Sequence, residues 1–147
     1  MKLREKIMLT LFALTAQTAA FASIDKPVTL EQLPATAQQT IKQSFGGNKI
    51  ALAKMEYELF GRSYDIIFTN GDKIEFDRKG QWTSVQCKSS QIPSELVPEA
   101  IAAYVKNNYP DLIIKSIERD RKNYDVDLSN GLELSFDKTF HLIDIDD

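Results

Sequence analysis

Among the side chains of this 147-residue chain that could do chemistry, carboxylates dominate: 21 Asp and Glu stand against one histidine, His141, and one cysteine, Cys87. A Ser or Cys nucleophile would have at most one conventional base, and His141 opens a late strand while Cys87 closes a much earlier one. They do not read as a pair. A glycosidase needs two carboxylates facing across a sugar cleft, whereas these acids alternate along strands that share one surface. Gly46-Gly47 precedes a strand and lacks the Lys and Ser/Thr of a phosphate loop. The reading is therefore a protein that is not an enzyme and needs no cofactor. Cys87 reads as a small buried apolar residue and His141 as a surface residue.

The carboxylates recur. Tyr64 to Asp77 reads YDIIFTNGDKIEFD, and sixty residues later Tyr124 to Asp137 reads YDVDLSNGLELSFD. Glu58 matches Glu118 at the same offset, and Leu33-Pro34 matches Ile92-Pro93 after a one-residue slip. Such self-similarity predicts a repeated supersecondary unit. In the first unit Ala37, Ile41 and Phe45 give a helix between Pro34 and Gly46-Gly47, and in the second Val97, Ile101 and Val105 give one before Tyr109-Pro110. Asn70-Gly71 and Asn130-Gly131 predict two-residue type I′ hairpins. Tyr64, Ile66, Phe68, Ile74 and Phe76 alternate around the first turn, and Tyr124, Val126, Leu128, Leu134 and Phe136 around the second. Outer strands over 52–60, 82–87, 113–120 and 142–145 complete four per unit. The expected fold is α+β: a tandem repeat of helix plus four-stranded antiparallel meander, together an eight-stranded sheet with both helices on one face. The divisions expected are 1–22, 23–88 and 89–147.

Residues 1–22 read as a secretory signal peptide: Lys2, Arg4 and Lys6 precede an apolar run from Ile7 to Leu14, and Ala20-Phe21-Ala22 supplies the small residues before the cut. The product would be periplasmic or secreted, with no membrane span after cleavage. Its net charge shifts from −3 to −5, because three basic residues and Glu5 are removed. That excess of acid argues against nucleic acid, which demands a basic stripe. With one cysteine there is no internal disulfide, and stability must come from a packed core.

Alternation assigns the other face of the sheet to Glu56, Glu58, Phe60, Asp65, Ile67, Lys73, Glu75 and Asp77, then to Glu118, Asp120, Asp125, Asp127, Glu133, Ser135 and Asp137. With Thr83, Val85, Ile143 and Ile145 taken as core, Trp82, Ser84 and Gln86 fall on the open side, as do Leu142, Asp144 and Asp146. Three readings fit such a face. It is simply the wet side of an antiparallel sheet. Alternatively it docks a partner through Phe60, Ile67, Trp82 and Leu142, with Glu58, Asp65 and Asp77 steering an envelope protein that is basic at its contact surface. In the third, Asp65, Asp77, Asp125 and Asp137 supply oxygens to a divalent cation such as calcium, or to a small cationic ligand. On the docking reading, Trp82→Ala abolishes binding and leaves stability nearly unchanged.

The N-terminal signal, the twice-used Leu/Ile-Pro, helix, Tyr-Asp, Asn-Gly and Phe-Asp order, and the closing RKGQW of Arg78 to Trp82 together resemble the exported PepSY-like, beta-lactamase-inhibitor-like proteins. The resemblance covers about Leu33 to Asp147. It implies an architecture similar to the beta-lactamase inhibitory protein, whose concave sheet grips an enzyme with exposed aromatics, and a periplasmic module that inhibits or regulates an envelope enzyme such as a peptidase. Gly80-Gln81-Trp82 becomes Phe140-His141-Leu142 in the second unit, so the docking aromatic is not duplicated.

Overall fold

The computed structural model describes residues 24–59 and 61–147. The expected signal peptide and Phe60 lie outside the described residues. Among these residues nine strands form one antiparallel sheet in strict chain order: β1 (Ile24–Pro27), β2 (Ile50–Glu58), β3 (Gly61–Phe68), β4 (Lys73–Phe76), β5 (Trp82–Gln86), β6 (Ile114–Arg119), β7 (Asn123–Leu128), β8 (Glu133–Asp137) and β9 (Leu142–Asp146). Helix α1 (Ala35–Phe45) follows β1, and α2 (Glu99–Asn108) bridges β5 and β6. This corrects the expected tandem of helix-plus-meander units with eight strands. The fold is dominated by a single continuous sheet, since β5 pairs directly with β6 through Ser84↔Glu118, Val85↔Ile117 and Gln86↔Ser116. The ninth strand, β1, escapes a periodicity reading because it is a four-residue edge segment ending in Pro27, where a proline is tolerated.

The register explains the core. Ala53, Ile66, Ile74, Val85, Ile117, Val126, Leu134 and Ile145 stand side by side across eight strands. The six from Ile66 to Leu134 are fully buried. Both helices cover this face. From α1, Ala37, Ile41 and Phe45 are buried, and Phe45 stacks on Phe68 at 4.8 Å; from α2, Ile101 and Val105 are buried, and Tyr104 meets Phe136 edge-on at 5.4 Å. Removal of this apolar surface from water is the principal stabilising term.

The hairpin turns differ from the predicted type. Phe68 N–H donates to Asp72 O and Gly71 N–H to Phe68 O, with φ +90° at Gly71 but no positive φ at Asn70. Leu128, Asn130, Gly131 and Leu132 repeat the pattern. Each is a three-residue loop whose glycine closes a G1 bulge, rather than a two-residue type I′ turn. The Asn side chains act locally instead, accepting the N–H of Asp72 at 2.9 Å and of Leu132 at 3.0 Å.

Candidate functional site

The face away from the helices is organised in two parallel rows. One runs Pro27, Lys54, Asp65, Glu75, Ser84, Glu118, Asp125, Ser135, Asp144 across all nine strands. Its neighbour runs Leu52, Ile67, Lys73, Gln86, Ser116, Asp127, Glu133, Asp146. Every second residue of a strand faces the same way, so antiparallel pairing stacks these side chains into lines about 5 Å apart.

On β1 to β4 the acids are compensated. Lys54 Nζ reaches Glu56 at 2.6 Å, Asp25 at 3.0 Å and Asp65 at 3.8 Å, while Lys73 Nζ reaches Glu75 at 2.6 Å and Asp65 at 3.2 Å. Clustered carboxylates raise the proton affinity of Lys54, and for Lys73 burial pulls it down but Glu75 and Asp65 together outweigh that. Asp65 is buried, and that burial pushes its carboxyl above the ordinary range although Lys73 pulls the other way. At the end of this half, a cleft of about 700 Å³ is lined by both signs, including Glu56, Glu58, Arg62, Glu75 and Arg78.

On β6 to β9 the acids lack such lysines among the described residues, and Asp137 lies 3.5 Å from His141 Nδ1. Among the described residues, no Lys or Arg makes an ion pair with Glu118, Asp125, Asp127, Glu133, Asp144 or Asp146. Asp125 accepts from Ser135 Oγ and Asp127 from Ser116 Oγ, both at 2.6 Å. These hydroxyls hold the carboxylates in place without neutralising them. Burial, then the charges of Glu75, Asp125 and Asp127, raises the Glu118 carboxyl above the ordinary range. Glu133 is raised by burial and then by Asp127, Asp125 and Asp146. Glu75, Glu118, Asp120 and Asp125, with Arg119 among them, line a depression of about 220 Å³ at the middle of the sheet.

The predicted docking residues scatter. Trp82 is only 7 % exposed and joins the core, with the Arg119 guanidinium 3.7 Å above its ring and Arg119 Nε donating to Trp82 O at 2.7 Å. The cause is a bulge: β4 and β5 shift register between Glu75 and Phe76, so Phe76 pairs with Trp82 and Thr83 becomes the extra residue. The same shift between Ser135 and Phe136 turns Leu142 toward the core and leaves Ile143 as the extra residue. Simple alternation therefore fails at both strand starts. Ile67 does lie on the open face, half-buried between Leu52 and Lys73. Glu58 is exposed at the end of β2 and accepts from Ser63 Oγ at 3.1 Å.

The four carboxylates proposed as cation ligands are not brought together. Asp65 lies between Lys54 and Lys73. Asp77 Oδ1 accepts the N–H groups of Lys79 and Gln81, Asp137 Oδ1 those of Thr139 and His141, and Asp125 is held by Ser135. Among the described residues, no group of three or more His, Cys, Asp or Glu is placed to hold a metal ion. Cys87 is buried as expected, and burial followed by the Asp72 charge pushes its thiol up to about 11, which leaves it unreactive at neutral pH.

Residues 62–144, from the start of β3 into β9, match the family described as "Putative beta-lactamase-inhibitor-like, PepSY-like". The chain belongs to this family. Three crystal structures of Bacteroides proteins, each described as a putative periplasmic protein, share the fold. One from B. vulgatus is 57% identical with a TM-score of 0.82, covering 84% of this chain and 97% of its own. One from B. thetaiotaomicron, described as a "putative calcium-regulated periplasmic protein", is 54% identical with the same score and coverages. A second B. vulgatus protein, of unknown function, is 35% identical with a TM-score of 0.79, covering 86% of this chain and 100% of its own. No curated protein matches the chain. The relatives bear out the periplasmic localisation read from the sequence, and no described helix is long and apolar enough to cross a membrane.

Proposed function

We propose that this protein is a non-catalytic periplasmic binding module whose acidic face on β6–β9 docks a cationic surface of another envelope protein, with inhibition or regulation of that partner as the outcome. One observation carries the reading: six carboxylates, from Glu118 to Asp146, lie in two adjacent rows without a cationic partner among the described residues. Crowding like charges on a rigid surface costs stability, and a cationic partner relieves that cost on binding. The expected contact residues move accordingly, from Trp82 and its surroundings to Glu118, Asp127, Glu133 and their neighbours.

The test is capture of envelope proteins by mild crosslinking, with Glu118→Lys/Glu133→Lys as the control, followed by binding of the purified pair. The expected result is a partner retained by the wild type, lost by the variant and weakened steeply by salt. Equal capture by both would overturn the reading.

A second reading rests on the 54% identical relative described as a "putative calcium-regulated periplasmic protein": calcium binds this chain as well, at a site that must assemble on binding, since among the described residues no three acids are placed for it. Calcium specific to the folded state would then raise the melting temperature by mass action. A flat calcium titration removes this reading and leaves the first intact.

A further inference from the structure

Both acidic rows run out at β9, where they end on Asp144 and Asp146, while the central core row ends on Ile145. Among the described residues, the outer edge of β9 pairs with nothing. Ile143 and Ile145 are 54 % and 47 % exposed there. An unpaired edge of this kind offers a line of backbone donors and acceptors to any extended chain that its side chains accept.

Its side chains are selective. A second copy of β9 laid alongside would set Asp144 and Asp146 against like carboxylates, and directly opposed like charges disfavour strand pairing. The opposite edge of the sheet is closed differently: β1 ends in Pro27, which has no N–H to give, and presents Lys26. An extended segment with basic residues at every second position and apolar residues between them would continue all three rows. Its cations would stand beside Asp144 and Asp146, and an apolar side chain would cover Ile145.

We propose that β9 is a strand-addition edge, which takes an extended basic–apolar–basic segment of the partner as a tenth strand of the sheet. This rests on the acidic-face reading above and specifies how the partner engages it.

The test uses the whole protein and acetyl-Lys-Val-Lys-Val-Lys-amide as probe, with two further peptides N-methylated at only the Lys or only the Val nitrogens. In an extended strand alternate N–H groups point to opposite edges, so each methylated peptide lacks the donors of one edge. The expected result is saturable binding with new hydrogen-exchange protection confined to 142–146 and the strand beside it. One methylated peptide should lose about tenfold or more in affinity while the other binds like the parent, since only one edge meets β9. Asp144→Lys/Asp146→Lys should weaken the parent peptide by at least about tenfold as attraction becomes repulsion. If both methylated peptides bind like the parent, or amides 142–146 gain no protection, strand addition is overturned while attraction to the face survives. If no peptide binds even at low salt, the acidic-face reading falls and strand addition with it.

Discussion

The two halves of the open face carry similar numbers of acids but solve the electrostatic problem in opposite ways. On β2 to β4, Lys54 and Lys73 are interleaved with Asp65, Glu56 and Glu75, and each of these acids has a lysine within 4 Å. On β6 to β9, the positions in the same two rows hold Glu118, Asp125, Ser135 and Asp144, and Ser116, Asp127, Glu133 and Asp146, and hydroxyls orient carboxylates that no lysine among the described residues offsets. A surface that is neutralised internally has little to gain from a charged partner. One held at high charge density has a reason to bind, which is why the second half is the candidate site.

The helix-facing sides contrast as well. The two strands that start at a register shift, β5 and β9, both open on an apolar residue turned inward, but Trp82 is buried with Arg119 upon it, whereas Leu142 is half-buried near the edge. Trp82→Ala should cost about 3–5 kcal/mol, the range for a large buried aromatic, and Leu142→Ala roughly 1–2 kcal/mol, both read by denaturant unfolding. Equal losses would show that the two bulges are equivalent in packing.

The turns ahead of those strands sharpen the point. Gly80 has φ +82° and lies against α1, where an added Cβ would meet Pro34 Cβ at 2.8 Å and Ala37 N at 2.9 Å. Phe140 takes the matching left-handed conformation, φ +66°, and packs on Tyr124 at 5.5 Å between ring centres. Gly80→Ala should therefore destabilise by about 2 kcal/mol or more through combined strain and overlap. Phe140→Gly should stay within about 1 kcal/mol of the wild type, because relief of strain offsets the lost ring contact. Thermal unfolding of the two variants side by side decides it.

Charge variants should move stability less, and in opposite directions in the two halves. Lys73→Met leaves Asp65 with only the more distant Lys54 and should cost about 1 kcal/mol, discounted for the partial exposure of Lys73. Glu118→Gln removes one of a set of repelling carboxylates and should stabilise by about a few tenths of a kcal/mol. A loss of stability in Glu118→Gln would mean that a cation compensates it after all.

The smallest expected effect is the pH profile. The Glu118 and Glu133 carboxyls are raised in the folded chain, so the fold binds their protons more tightly than the unfolded chain does. Stability contributed by their protonation grows as pH falls through the raised folded values and levels off below the ordinary carboxylate value. Asp120 and Asp137 work the other way: backbone N–H donors lower their carboxyls, and the stability they give above the ordinary value is lost as pH falls through the folded values. The melting temperature should thus rise from neutral pH toward about pH 5 and fall in stronger acid. The rise should shrink in Glu118→Gln/Glu133→Gln.

Much of this was legible in the residues. Alternation around Asn70-Gly71 and Asn130-Gly131 marked four strands with their buried faces, and the spacing of Ala37, Ile41 and Phe45 marked α1, because side-chain periods of two and near four are local properties of the chain. The acids of both rows were legible for the same reason. What local pattern could not supply was their lateral alignment: whether a lysine on one strand meets an aspartate on the next depends on register. Only the pairing of β2 with β3 and β3 with β4 decided that Asp65 is neutralised, and only the bulges decided that Trp82 belongs to the core rather than to the open face. Sequence alone determined which residues alternate. Tertiary structure decided which of them are neighbours, because a one-residue shift between strands exchanges one partner for another and one face for the other.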